Sequence, residues 1–131
     1  MDVNWLAIVV AAVAHFLIGW AWYAPPVFGK RWQELSGLKM DGASGLAQAI
    51  VVQLIGNLVM AYILARFILH YGEPGLVWGA VIGFMAWLGF VATIMIGSVF
   101  YEKRPFGLFT INAGYQLVGI VVMGAILGAW Q

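Results

Sequence analysis

The sequence predicts an all-α integral membrane protein, a bundle of four transmembrane helices with a short amphipathic interfacial helix between helices one and two. Three observations carry that expectation. The 131 residues are 64% hydrophobic and only 8% charged, where soluble domains are about half apolar and a quarter charged; so short a chain cannot hide that much apolar surface from water. Four apolar runs, at residues 3–23, 45–69, 76–100 and 106–129, each exceed the roughly 20 residues that cross about 30 Å of hydrocarbon at 1.5 Å per residue. Most of the charge sits between those runs.

The first run is expected as a retained span, because Met1-Asp2-Val3-Asn4-Trp5 lacks the positive region of a secretory signal. It closes on Trp20-Ala21-Trp22-Tyr23, the aromatics of a membrane interface. Pro25 and Pro26 then stop the helix, since each lacks the N–H that the next turn requires. Beyond them Phe28, Trp32 and Leu35 fall at i, i+4 and i+7, opposite Lys30 and Glu34, with Gly37 behind. That spacing describes a short helix lying flat among the headgroups.

The second run contains Gln53 and Asn57, with Arg66 in its last turn. Tight turns at 70–75 and 101–105, rich in Pro, Gly and charge, make the neighbouring helices antiparallel. Barrel strands would be about half as long and would alternate in polarity. One four-helix domain over residues 1–131 accounts for the whole pattern. Spacing of four puts Gly79 with Gly83, Gly89 with Thr93 and Gly97, and Gly124 with Gly128 on common faces, where backbones can approach closely in lipid. The pattern leaves open whether those faces join helices of one chain or of the expected homo-oligomer.

Cations set the expected orientation. Lys30, Arg31 and Lys39 follow the first run and Lys103 and Arg104 the third, with Arg66 alone at the other side. The positive-inside rule then makes the loops after runs one and three cytoplasmic and puts both termini outside. The expected location is the plasma (inner) membrane of a bacterium. Anionic-lipid contact or ion pairing is expected around Glu102, Lys103 and Arg104. On the outer side Tyr62, Arg66, His70 and Glu73 form one stripe, with Arg66 expected to snorkel and to pair with Glu73 or lipid phosphate. Tyr23 and Tyr101 open two exits of similar composition, as any two cytoplasmic exits would.

Polar residues inside the runs are the candidate site. Counting from the predicted helix ends, His15, Asn57 and Gln116 fall near mid-depth, and Gln53, Thr93 and Asn112 lie closer to the cytoplasmic side. Gln53 with Asn57, and Asn112 with Gln116, are i, i+4 pairs that each present two amides on one face, and the simplest arrangement aims them at His15. Two readings fit. The amides serve as packing glue around a neutral histidine, or the six residues line a polar cavity in which His15 binds a ligand or relays protons. In the second reading Trp22, Tyr23, Phe28 and Trp32 form a lid.

Other classes are excluded or disfavoured. A net charge of +1 without a run of like charges speaks against nucleic acid. Without cysteine there is no thiolate site, and the two histidines at different depths make no metal site; no cofactor is expected. Enzyme activity is disfavoured, because no buried carboxylate, cysteine or base-paired serine offers a nucleophile. Small four-helix multidrug exporters couple protons through a carboxylate in the first helix, and residues 3–23 have none. A thiol-conjugating membrane transferase would carry several intramembrane arginines and a glutamate; Arg66 alone is present.

Asn4-Trp5, the Phe16 to Trp32 stretch with Gly19, Trp22-Tyr23, Pro26, Phe28-Gly29-Lys30 and Trp32, the Glu102-Lys103-Arg104 turn, and Leu108-Phe109 through Ile111-Asn112-Ala113-Gly114-Tyr115 together resemble the domain-of-unknown-function family numbered 1761. Pro25 beside Pro26 departs from the family's usual single proline. The resemblance implies a small, mainly bacterial, four-span membrane protein and brings no activity, cofactor or catalytic residue. The expectation for function is therefore a membrane protein binding or carrying a small or lipid-like molecule through its polar cluster. The alternative is a structural or accessory subunit assembling through its glycine faces. Membrane lipids are partners under either.

Overall fold

The structure, a computed structural model, describes residues 3–37, 46–71 and 75–130. Among them every regular element is helical. Helix α1 is Trp5–Trp22, α2 is Lys30–Ser36, α3 is Leu46–His70, α4 is Leu76–Tyr101 and α5 is Phe106–Ala129. All but α2 are long and apolar enough to cross a membrane, so the chain is an all-α four-helix membrane bundle.

Local chemistry sets the ends. Asn4 caps α1, its Oδ1 accepting from Ala7 N at 3.1 Å, which satisfies one of the free donors at a helix start. Its Nδ2 donates to the Trp130 carbonyl at 2.8 Å, tying the start of α1 to the end of α5. At the opposite end the prolines force a wide π turn, Pro25–Gly29. Ala24 is extended, as a residue before proline must be, and its carbonyl accepts from Val27 N at 2.9 Å and Gly29 N at 3.0 Å. A Cβ at Gly29 would collide with the Tyr23 carbonyl, so that turn closes only around glycine. The expected amphipathic helix α2 follows and ends at Gly37, whose φ of 74° is left-handed.

Half of α5 is buried, more than of any other span, because it packs against α1, α3 and α4. Its tightest seam is with α4. A Cβ on Gly79 would strike the Gly124 carbonyl, one on Gly128 would lie 2.9 Å from the Gly79 Cα, and one on Gly83 would lie 2.7 Å from the Ile120 carbonyl. Gly75 N donates to the Gly128 carbonyl at 2.8 Å, stitching the same seam at its end. These glycines therefore join helices of one chain. The rest of the small-residue pattern does not share that role: nothing lies within 4 Å of a Cβ at Gly89, and Gly89 and Thr93 are exposed.

Run three is less regular than expected. Helix α4 widens into a π-helical stretch, Trp87–Ala92, and pauses at Ile96 before a last turn, Gly97–Tyr101. The widening turns the Trp87 indole toward α5, where Nε1 donates to the Ala113 carbonyl at 2.9 Å. Contact between α3 and α4 is sparse, leaving apolar grooves of about 440 and 380 Å³ that share Phe67, Ala86 and Phe90. The core lies elsewhere, where Ile8, Ala11 and Ala12 of α1 meet Ala61, Ala65 and Ile68 of α3 and Met123 and Leu127 of α5.

Candidate functional site

His15 and Asn57 are the buried polar residues of the described chain, both at 0% exposure. Each is satisfied by a neighbouring helix, as burial of a polar group in a hydrocarbon setting demands. His15 Nε2 lies 3.0 Å from Gln116 Oε1 and Nδ1 lies 2.8 Å from the Tyr115 hydroxyl. That hydroxyl also donates to the His15 carbonyl at 3.1 Å. The phenol thus has two acceptors in reach. With Nε2–H donating to Gln116 Oε1, bare Nδ1 accepts the phenol proton; a switch to Nδ1–H, with the phenol proton on the carbonyl, would leave Nε2 a bare acceptor and require the Gln116 amide to turn its NH2 toward the ring.

Glycines make this closeness possible. A Cβ on Gly119 would lie 2.6 Å from His15 Cδ2, and one on Gly19 would lie 2.7 Å from the Tyr115 hydroxyl. Each helix gives a flat spot to the other's ring. The imidazole of α1 rests on Gly119 of α5, and the phenol of α5 rests on Gly19 of α1.

Asn57 does not reach His15. Its Nδ2 donates to the Ala12 carbonyl at 3.3 Å, using the second lone pair of a helical carbonyl, and its Oδ1 accepts from Gln53 Nε2 at 2.9 Å. Asn112 serves a third group, accepting the Tyr23 hydroxyl at 2.6 Å. Of the four amides expected to point at His15, only Gln116 bonds it. Asn57 braces α1 through Ala12, Asn112 holds Tyr23 just past the end of α1, and Gln53 bonds Asn57 within α3. Thr93 stands apart, exposed on α4 and bonded to its own helix through the Gly89 carbonyl at 2.8 Å.

Tyr115 is the residue the sequence reading missed. It sits between Asn112 and Gln116 within a motif read for its order, and as an aromatic it counted toward apolar surface. The helical period did hold a clue, because i, i+3 and i+4 share a face, placing Tyr115 beside Asn112 on the side that meets α1. Tyr23 and Trp87 likewise carry polar atoms that composition counts as interfacial or apolar, and both bond to α5.

The segment expected as a lid is fastened on several sides. Trp22 Nε1 donates to the Ile111 carbonyl at 2.9 Å, its ring lies over Gly114, where a Cβ would approach to 3.2 Å, and the Phe28 ring packs against it, tilted by 35° at 4.8 Å. Trp32 meets Tyr23 edge-on at 6.1 Å, and Tyr23 meets Tyr115 at 5.5 Å. Leu35 of α2 packs onto Gly107, whose Cβ would stand 3.0 Å away. The outer stripe is partly visible: Tyr62 stacks on Trp5 at 5.5 Å, Arg66 and His70 are exposed, and Glu73 and Lys39 lie outside the described residues.

Open space begins beside the closed network. A side groove of about 400 Å³ runs between α1 and α3, with Phe16, Trp20 and Ile50 as apolar walls and Tyr23, Gln53 and Tyr115 as the polar-bearing side. Gly19 lines it too. Among the described residues no three His, Asp or Glu side chains gather in a way that could hold a metal ion.

Four long apolar helices, polar side chains bonded between them and an apolar outer surface define a multi-pass integral membrane protein. Within that class, the chain belongs to the protein family of unknown function DUF1761, whose family model matches residues 6–128. No curated protein and no solved structure matches it.

Proposed function

We propose that this membrane protein binds a lipid-like amphiphile in the side groove between α1 and α3. The observation that carries the reading is the groove's make-up: about 400 Å³, apolar walls, and Gln53, Tyr23 and Tyr115 on one side. Binding sites for small molecules combine mostly apolar walls with a few placed polar groups, and a groove at the bundle's flank is reached from the bilayer itself. Apolar tails would lie along Phe16 and Ile50, and a hydroxyl, carbonyl or amide of the ligand would face Gln53. His15 and Gln116 would act from behind by holding Tyr115, and α2 with Trp22 and Trp32 would close the basic end.

The basic end, with Lys30, Arg31, Lys103 and Arg104, is proposed as cytoplasmic on the positive-inside rule, in a bacterial inner membrane. The test is native mass spectrometry of the full chain purified in mild detergent. A co-purifying amphiphile is expected in the wild type, with one fewer bound per chain in Ile50→Trp, which fills the groove, and in Gln53→Leu, which removes its amide. Absence of any bound amphiphile from the wild type, or an unchanged number per chain in both variants, would refute the reading.

A second reading rests on the exposed, unfilled face of α4 at Gly89 and Thr93: the chain pairs with another copy there, as an accessory or structural subunit. Gly89→Leu would then shift the mass measured by light scattering toward the monomer. An unchanged mass would count against it.

A further inference from the structure

A second cleft, of about 370 Å³, opens at the basic end between the close of α4 and the start of α5. Ile94, Met95 and Phe109 form its apolar wall, Ser98 and Asn112 are its polar lining, and Glu102 and Arg104 stand at its mouth. We propose that this cleft binds the phosphate headgroup of an anionic phospholipid, with Arg104 and Lys103 as the cationic partners and one acyl chain along Ile94 and Phe109.

The turn that carries the cations is held in place. The Ser98 carbonyl accepts from both Glu102 N and Arg104 N at 3.2 Å, and Lys103 between them takes a left-handed φ of 58°, a conformation rare for a side chain of its size. Arg104 is thereby presented at the cleft's mouth by backbone geometry, with Lys103 the adjacent cation of the same turn. The first turn of α5 begins at Pro105 without a side-chain cap, so the positive end of that helix dipole adds to the same field. Glu102 is the opposing charge. Its Oε1 lies 3.6 Å from Arg104 Nε with both side chains largely exposed, an ion pair of the weak surface kind. A phosphate oxygen offers the guanidinium a better, two-pronged partner. Basic pockets between transmembrane helices suit anionic headgroups, and the apolar wall selects a ligand with a hydrocarbon chain over a free anion. None of this depends on what fills the groove between α1 and α3.

The experiment titrates the detergent-purified full chain with phosphatidylglycerol, phosphatidylcholine or inorganic phosphate and reads bound lipid by native mass spectrometry. Phosphatidylglycerol is expected to bind in preference to phosphatidylcholine, and millimolar phosphate is expected not to displace it. Arg104→Gln and Lys103→Gln should each weaken the apparent affinity about fivefold, the worth of one cation near anionic headgroups, and Glu102→Gln should strengthen it. Lys30→Gln and Arg31→Gln remove equal charge at the same end outside the cleft, and should leave it nearly unchanged. Equal losses in those two variants would show a diffuse basic surface and overturn the site. Displacement by phosphate alone, or no preference for the anionic lipid, would overturn the lipid assignment.

Discussion

At the scale of single residues, His15 and Tyr115 show which force matters most in the interior. Hydrogen bonds between membrane helices average only about 0.6 kcal/mol, whereas overpacking a filled site costs about 1 to 3 kcal/mol. Tyr115→Phe, which removes the contacts to Nδ1 and the His15 carbonyl, should therefore cost about 1 kcal/mol or less. Gly119→Ala, which drives a methyl into the imidazole at 2.6 Å, should cost more, about 2 kcal/mol. Unfolding in mixed micelles measures both, and the reverse order would show the network to be the stronger element. His15→Ala should still insert and assemble, with weaker retention of the groove's amphiphile, because the bridge that holds Tyr115 is gone. Loss of assembly in that variant would make the cluster a packing device.

At the scale of elements, the seam between α4 and α5 is set by backbone contact. Gly79→Leu should open the bundle, since the opposing atoms belong to the Gly124 carbonyl and cannot turn aside. Gly89→Leu meets nothing within 4 Å of its Cβ, so the thermal midpoint of the monomeric fold should stay where it is. Comparing the two variants in one melting experiment separates a glycine that packs from one that only faces outward; equal destabilisation would contradict the assignment. The short helix α2 gains its place differently. Seven residues are too few to hold a helix alone in water, so Leu35 on Gly107 and Trp32 against Tyr23 must supply the anchorage. Trp32→Ala should raise hydrogen exchange across Lys30–Ser36 and leave α5 protected, and unchanged exchange there would refute that dependence.

For the whole molecule, the absence of cysteine makes topology simple to map. With the chain expressed in a bacterial inner membrane, a single Tyr71→Cys should react with an impermeant maleimide in intact cells. Gly37→Cys should react only after permeabilisation, and the opposite pattern would invert the proposed orientation. Both sites are exposed and lie just past helix ends, Tyr71 after α3 and Gly37 after α2.

How much of this was legible beforehand follows from the reach of each signal. Bilayer thickness and the cost of bare backbone in hydrocarbon depend on length and polarity alone, so the runs at 3–23, 45–69, 76–100 and 106–129 fell within two residues of the helices found. Pro26, Gly37 and the spacing of Phe28, Trp32 and Leu35 likewise announced α2. Partnership was a different matter. Gln116 reached His15 as expected, but Asn57 turned to the Ala12 carbonyl, Asn112 to Tyr23, and the key hydroxyl belonged to Tyr115. An amide on a helix face has several partners within a turn's rise, and helix rotation and offset choose among them. The sequence by itself therefore determined the spans, the basic end and the short interfacial helix, because solvent transfer acts residue by residue. Only the tertiary structure decided which glycines join α4 to α5, which rest beneath rings and which face outward, since that depends on the distance between two backbones.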